Sequence, residues 1–260
     1  MRIASIGHAL FLVTMIGLGI GGLLHPDFVP VWNPVPANVP ARELFLYLGA
    51  LISLATGIGL LVPRVVAIAA RWLLATLFLW LLFFRLPDFL HAPPFAACWS
   101  VFPLAVMFAA AWVLYVWFAA DWDRRYFSFV SSNYGLRIAR VLYGLSLIFF
   151  GIAHFIGVKE TLSLIPSWLP GHLFWAYFTG CAFVAAGLAV LTGVYARLAA
   201  ALSTFQIASF LVLVWIPIVA AGSKVPFQWS ETILNVALLA GAWVITDSYR
   251  GTPWLAANHR

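Results

Sequence analysis

Charge is what this chain has least of. Only 8% of its 260 residues are Asp, Glu, Lys or Arg, against 64% hydrophobic and 17% aromatic. A soluble globular domain carries about 25% charged residues, so that class is excluded. Cysteine is equally scarce. Cys98 and Cys181 are too few for a disulfide framework, and no CxxC or metal-ligand spacing surrounds them. No nucleotide loop, haem-ligand pair or flavin fingerprint occurs either. The chain thus has no cofactor of its own, and any electrons it handles would need a partner's.

Where charge is absent, long apolar runs stand. Ile3 to Leu24, Leu44 to Val62, Phe95 to Ala120, Val141 to Val158, Leu173 to Ala196 and Leu198 to Gly222 contain no charged residue. Two further runs carry charge toward their ends: Val65 to Leu86 includes Arg71 and Arg85, and Pro226 to Thr246 includes Glu231. A bilayer core takes about 20 helical residues, and continuous rather than alternating apolarity favours helices over barrel strands. The expected fold class is an all-α integral membrane protein of eight transmembrane helices. Arg2 precedes the first run as in a signal peptide, but no small-x-small cleavage site follows, so this run reads as a retained helix.

Arginine sets the orientation. One side carries Arg2, Arg64, Arg71, Arg124, Arg125, Arg137, Arg140, Arg197, Arg250 and Arg260; the other carries Arg42, Arg85, Lys159 and Lys224. The imbalance places both termini in the cytoplasm and suits the inner membrane of a bacterium. The net charge of +6 is therefore a matter of loops, not of nucleic acid.

The chain also repeats itself. At an offset of 130, Pro40 meets Pro170, Tyr47 meets Tyr177, Gly57 meets Gly187, Pro87 meets Pro217, and Trp99-Ser100 meets Trp229-Ser230. At 129, His25 meets His154. Chance matching among Leu- and Ala-rich helices is the plain alternative, but Trp, Pro and His are poor material for it. The spacing predicts two parallel-oriented four-helix repeats, residues 1–120 and 141–248. A basic linker, 121–140, joins them, and a tail, 249–260, follows. Gly-rich stretches at Gly49 to Gly59 and Gly180 to Gly193 predict closely packed helices.

Most remaining chemistry falls on the outer side. His25, His91, His154, His172, Asp27, Glu43, Asp88, Glu160, Arg85, Trp32, Trp99, Trp168 and Trp229 all lie there. So does Glu231, with Asn235 one turn deeper on the same helical face. Glu231 stands where the first half has Val101, so the structure alone does not demand a carboxylate. Either it caps its helix, where negative charge is favourable, or it pairs with His154 for proton transfer to a quinone-like headgroup. Arg85 and Asp88, separated by Pro87, are expected as a close pair or as two side chains snorkelling to the interface. The ligand-pocket candidates are His25, Arg85, Asp88, His91, Trp99, Trp168, Trp229 and Asn235. The proline-rich outer loop "HPDFVPVWNPVPANVP" reads as a stiff interfacial cap. A histidine-bound metal has no supporting spacing, and none is assigned.

The stretch "GIAHFIG…IPSWLPGHLFWAYFTGCAFVAAGLAVLTGVYARLAA…VPFQWSETILNVALLAGAWVITD" resembles the DoxX-like family of small membrane proteins. The shared pattern falls at His154, Trp168 and Pro170, Gly180 to Gly193 with Arg197, and Trp229 with Glu231. The likeness covers about Arg137 to Asp247; the first half reads as a degenerate copy keeping His25, Pro40, Gly57 and Trp99. The resemblance implies a membrane subunit or accessory of a redox or envelope process, with a quinone- or lipid-accessible pocket near the outer leaflet. Its partners would be the bilayer and a redox or envelope protein. A non-catalytic assembly or chaperone role is the alternative, and a small-molecule transporter is third. Family members usually have one four-helix unit, so a fused pair would replace a homodimer. Catalytic roles, if any, fall to His154 and Glu231.

Overall fold

A computed structural model of the chain describes residues 3–25, 35 and 39–257. Asp27, Trp32, Arg2, Arg260 and most of the proline-rich cap lie outside the described residues. The structure is 79% helix, with no strand among the described residues. Among the described residues, eight helices are long and apolar enough to cross a membrane: α1 Ile6–Leu24, α2 Arg42–Gly59, α3 Val66–His91, α4 Pro94–Phe118, α5 Asn133–Ile156, α6 His172–Thr192, α7 Ala196–Ala220 and α8 Pro226–Asp247. They coincide with the eight expected runs, apart from a few residues at the ends.

Local chemistry explains where they start and how they tolerate polar residues. Ser5 Oγ accepts from the His8 amide at 2.9 Å, and Ser132 Oγ accepts from the Tyr134 amide at 3.2 Å, satisfying donors that α1 and α5 leave open. Pro94 and Pro226 occupy first helical positions, where a missing N–H costs nothing. Inside the spans, Thr14, Ser53, Thr56, Thr76, Ser146, Thr179, Thr204 and Thr232 each donate to the carbonyl four residues back. A hydroxyl in an apolar medium must find such a partner.

Both α3 and α7 widen into a π-helical segment, Leu81–Arg85 and Leu211–Trp215, at the same offset of 130 residues. The amides of Leu86 and Ile216 reach back five residues, to the carbonyls of Leu81 and Leu211. The cause lies just beyond. Pro87 and Pro217 supply no N–H, so the α-helical ladder cannot close there and the turn opens. In α3 the helix is interrupted altogether, resuming at Asp88–His91.

The helices follow one another round a ring, and α1 meets α8 to close it. Helices α4 and α8 also pack against each other through the middle. Helix α4 has 72% of its apolar window buried, against 28% for α7, so α4 is the central helix and α7 is peripheral. The buried residues Phe11, Met15, Leu77, Met107, Leu114, Tyr143, Leu147 and Ile245 form one continuous core. Within each half the first two helices form the closest pair. Gly19 and Gly57 let α1 and α2 approach, while Gly144, Gly151, Gly180 and Gly187 do so for α5 and α6. The last helix of each half then rests on the first helix of the other: α4 on α5, and α8 on α1.

Candidate functional site

Two ends of this bundle carry polar chemistry, and they differ in kind. At the arginine-rich end several charges are tied down. Arg71 grips the wholly buried Asp123 with two bonds, at 2.7 and 2.9 Å. The Tyr115 hydroxyl and the Ala120 amide each donate to the same carboxylate at 3.0 Å. Burial alone would raise the Asp123 carboxyl, but these donors outweigh it and hold it below its ordinary value. Asp247 accepts from the Gly7 amide at 2.8 Å, joining the end of α8 to the start of α1. Arg140 lies 3.9 Å from the Tyr249 ring and donates to the Ser248 carbonyl. Arg197 lies 4.1 Å from Trp254 and donates to the Thr252 carbonyl at 2.7 Å. These are structural clasps.

At the opposite end the sequence candidates are found less fully engaged. His154 sits in the last turn of α5. Its Nδ1 lies 2.7 Å from the Phe150 carbonyl, an acceptor only, so Nδ1 carries the proton. The ring stacks on Phe210 of α7 at 5.8 Å and meets Phe183 of α6 edge-on at 5.5 Å. The imidazole is therefore fixed in orientation, with Nε2 as the nitrogen that Phe150 does not engage.

Glu231 is half-buried on α8, and among the described residues it makes no hydrogen bond or ion pair. One turn deeper, Asn235 is 8% exposed and its Oδ1 is buried without a partner. The capping role considered for Glu231 is not what the structure shows. Helix α8 begins at Pro226 and has no acidic residue in its first turn. Nor does Glu231 bond to His154: the histidine's ring partners come from α6 and α7, and the carboxylate is on α8. Helix α7 packs against both α6 and α8, so it lies between the helix whose ring His154 meets and the helix that carries Glu231.

The remaining candidates do not converge. Asp88 accepts from Ser100 Oγ, and the Arg85 side chain is buried, so it does not snorkel. His25 ends α1 as its C-cap, and both it and His91 are exposed. Trp99 packs on Phe149 at 5.9 Å. Trp229 Nε1 donates to the Ser223 carbonyl at 2.9 Å, and Trp168 is exposed. Cys98 and Cys181 are free thiols. Among the described residues no group of three or more His, Cys, Asp or Glu could hold a metal ion.

One residue escaped the sequence reading. His8, in the first turn of α1, is fully buried, with its ring 5.0 Å from Phe118. Its Nδ1 accepts from the Ala4 amide at 3.2 Å, while Nε2 makes no hydrogen bond. A histidine inside the first apolar run was the available signal. No family model matches this chain, and neither does any curated protein or solved structure.

Proposed function

We propose that this chain is a DoxX-like accessory or subunit of a membrane redox or envelope process. The outer end of its second half would hold the headgroup of a quinone-like or lipid ligand. The observation that carries this reading is Glu231 with Asn235: a half-buried carboxylate on a membrane span, without a partner, above a buried amide oxygen without a partner. Ionisable groups at membrane depth are expensive and mark functional sites. Buried polar atoms left unpaired call for an explanation, and a ligand supplies one. Both groups accept hydrogen bonds, so the complementary ligand presents hydroxyls, as a reduced quinone headgroup does. Glu231 is suited to take a proton from such a hydroxyl, and His154 Nε2 offers a second basic atom near the outer end of α7. Any electrons would pass to a partner protein, since the sequence carries no motif for a redox group.

The architecture we infer is two parallel-oriented four-helix repeats, residues 1–120 and 141–248, with both termini in the cytoplasm of a bacterial inner membrane. Three observations support it. The π-helical segments recur at the repeat offset, the α1–α2 and α5–α6 pairs match, and α4 on α5 matches α8 on α1. The arginine imbalance supports the orientation. A pseudo-two-fold axis along the membrane normal would then run between α4 and α8.

The test is mass spectrometry of the gently purified protein. A stoichiometric quinone, lost in Glu231→Gln and His154→Ala while helicity is retained, is the expected result. A ligand-free protein arriving with a stable protein partner would overturn the pocket and favour the assembly reading.

A further inference from the structure

We infer that the arginine-rich end of the first half holds one anionic phospholipid, acyl chain inward and phosphate at Arg64. A cavity of about 480 Å³ opens there between the start of α1, the α2–α3 turn and the end of α4. That volume falls within the range of small-ligand sites, about 300–1,000 Å³. Its walls include Ile3, Leu61, Val66, Trp117 and Phe118, with Pro63 on the turn. These side chains are apolar, and they gain contacts when an acyl chain fills the space. The cavity lies where spans end, at the depth where Trp is favoured and where an acyl chain is the available apolar filler.

The rim supplies charge of one sign. Arg64 follows Pro63, is exposed, and among the described residues makes no hydrogen bond or ion pair. Arg124 is anchored beside Phe118 through its Nε, which donates to the Ala119 carbonyl at 3.2 Å. The nearby Asp123 is already held by Arg71, leaving Asp121 as the local carboxylate.

The second half closes the corresponding end with its own chain. The Tyr195 amide donates to Ala256 at 2.8 Å, and Arg197 holds Thr252, so the segment after α8 lies across that end. The positions 130 residues earlier, Val65 and Tyr126, form no such bond; the Val65 amide turns back to Val62. The lipid takes the place that the chain fills elsewhere.

The test uses the full chain in neutral detergent, with phosphatidylglycerol, phosphatidylcholine or inorganic phosphate added, reading thermal unfolding and retained lipid. Phosphatidylglycerol is expected to raise the midpoint more than phosphatidylcholine, with about one lipid retained per chain. Arg64→Gln should weaken phosphatidylglycerol binding about fivefold, the worth of one arginine at an anionic surface. Val66→Trp, which fills the cavity, should abolish retention of both lipids. If that variant does not fold, Leu61→Phe serves the same purpose. Equal responses to the two lipids in wild type and Arg64→Gln would overturn the proposal. So would a full response to inorganic phosphate alone, or unchanged retention in the filled variant.

Discussion

Gly187→Ala is the sharpest test of how these helices pack. Gly187 on α6 faces Gly144 on α5, and a Cβ at 187 would stand 2.6 Å from the Gly144 carbonyl oxygen. It would also lie 3.0 Å from the Ile148 amide nitrogen. Ordinary contact begins near 3.4 Å, and both obstructing atoms are backbone, so no rotamer change relieves the clash. The two helices must separate, or α5 must bend, by about 0.8 Å at a site that also brings Gly151 against Gly180. Overpacking of this kind costs about 1–3 kcal/mol. The control is Gly17→Ala on α1, where a new Cβ meets nothing within 4 Å. There the helix gains up to ~1 kcal/mol in propensity. Reversible unfolding in mixed micelles titrated with sodium dodecyl sulfate, followed by circular dichroism, measures both. Gly187→Ala should unfold at a lower dodecyl sulfate fraction than wild type, and Gly17→Ala at an equal or higher one. Identical midpoints for the two variants would refute the close approach of α5 and α6.

Asp123→Asn should cost about 2–3 kcal/mol in the same assay, less than the ~3–5 of a fully buried pair because Arg71 keeps a third of its side chain exposed. Since the fold holds the Asp123 carboxyl below its ordinary 3.8, its contribution is present at neutral pH and is lost as pH falls through the folded value. Thermal stability should therefore decline below about pH 4, and Asp123→Asn should lessen that decline. Arg197→Ala removes the bond to Thr252 and the contact with Trp254, so limited proteolysis should cut residues 250–257 faster than in wild type. Glu231→Gln leaves no partner stranded and should change stability by less than ~0.5 kcal/mol, in contrast to Asp123→Asn.

Which features could be read from residues alone follows from their physics. The eight spans were legible because apolar length is a property of local sequence, and the bilayer admits few alternatives. The π-helical segments were not foreseen, although their cause was in view: Pro87 and Pro217, each two residues past a widened turn. A missing N–H announces a disturbed ladder, but whether the helix kinks, breaks or widens depends on what packs around it. In α3 it breaks, in α7 it runs on. The site was legible only as residue types at one end. Glu231 was placed on the right helix, but the capping alternative failed because the helix starts five residues earlier, at Pro226. The histidine's commitment to the Phe150 carbonyl depends on a rotamer, and no spacing rule reports rotamers.

The differences between the halves are more informative than their likeness. Under the repeat proposed above, one backbone scheme is used twice, and whatever the scheme requires should appear twice. The closely packed first hairpin does, and so do the widened third helix and the crossed rest of last helix on first. Glu231 does not: its counterpart Val101 is buried against the core. The buried Arg85 corresponds to the buried Trp215, a change of charge with little change of place. The cavity beside Arg64 corresponds to an end sealed by the chain itself. A carboxylate or guanidinium in a membrane span is costly, and a fold that forms equally well without it gives no structural reason for keeping it. Functional work is therefore to be sought where the symmetry fails: at Glu231 with Asn235 in the second half, and at the open basic end of the first. The two sites lie at opposite ends of the bundle, so variants at each should leave the other's ligand untouched. A loss of quinone in Arg64→Gln, or of phospholipid in Glu231→Gln, would show that they are one system instead of two.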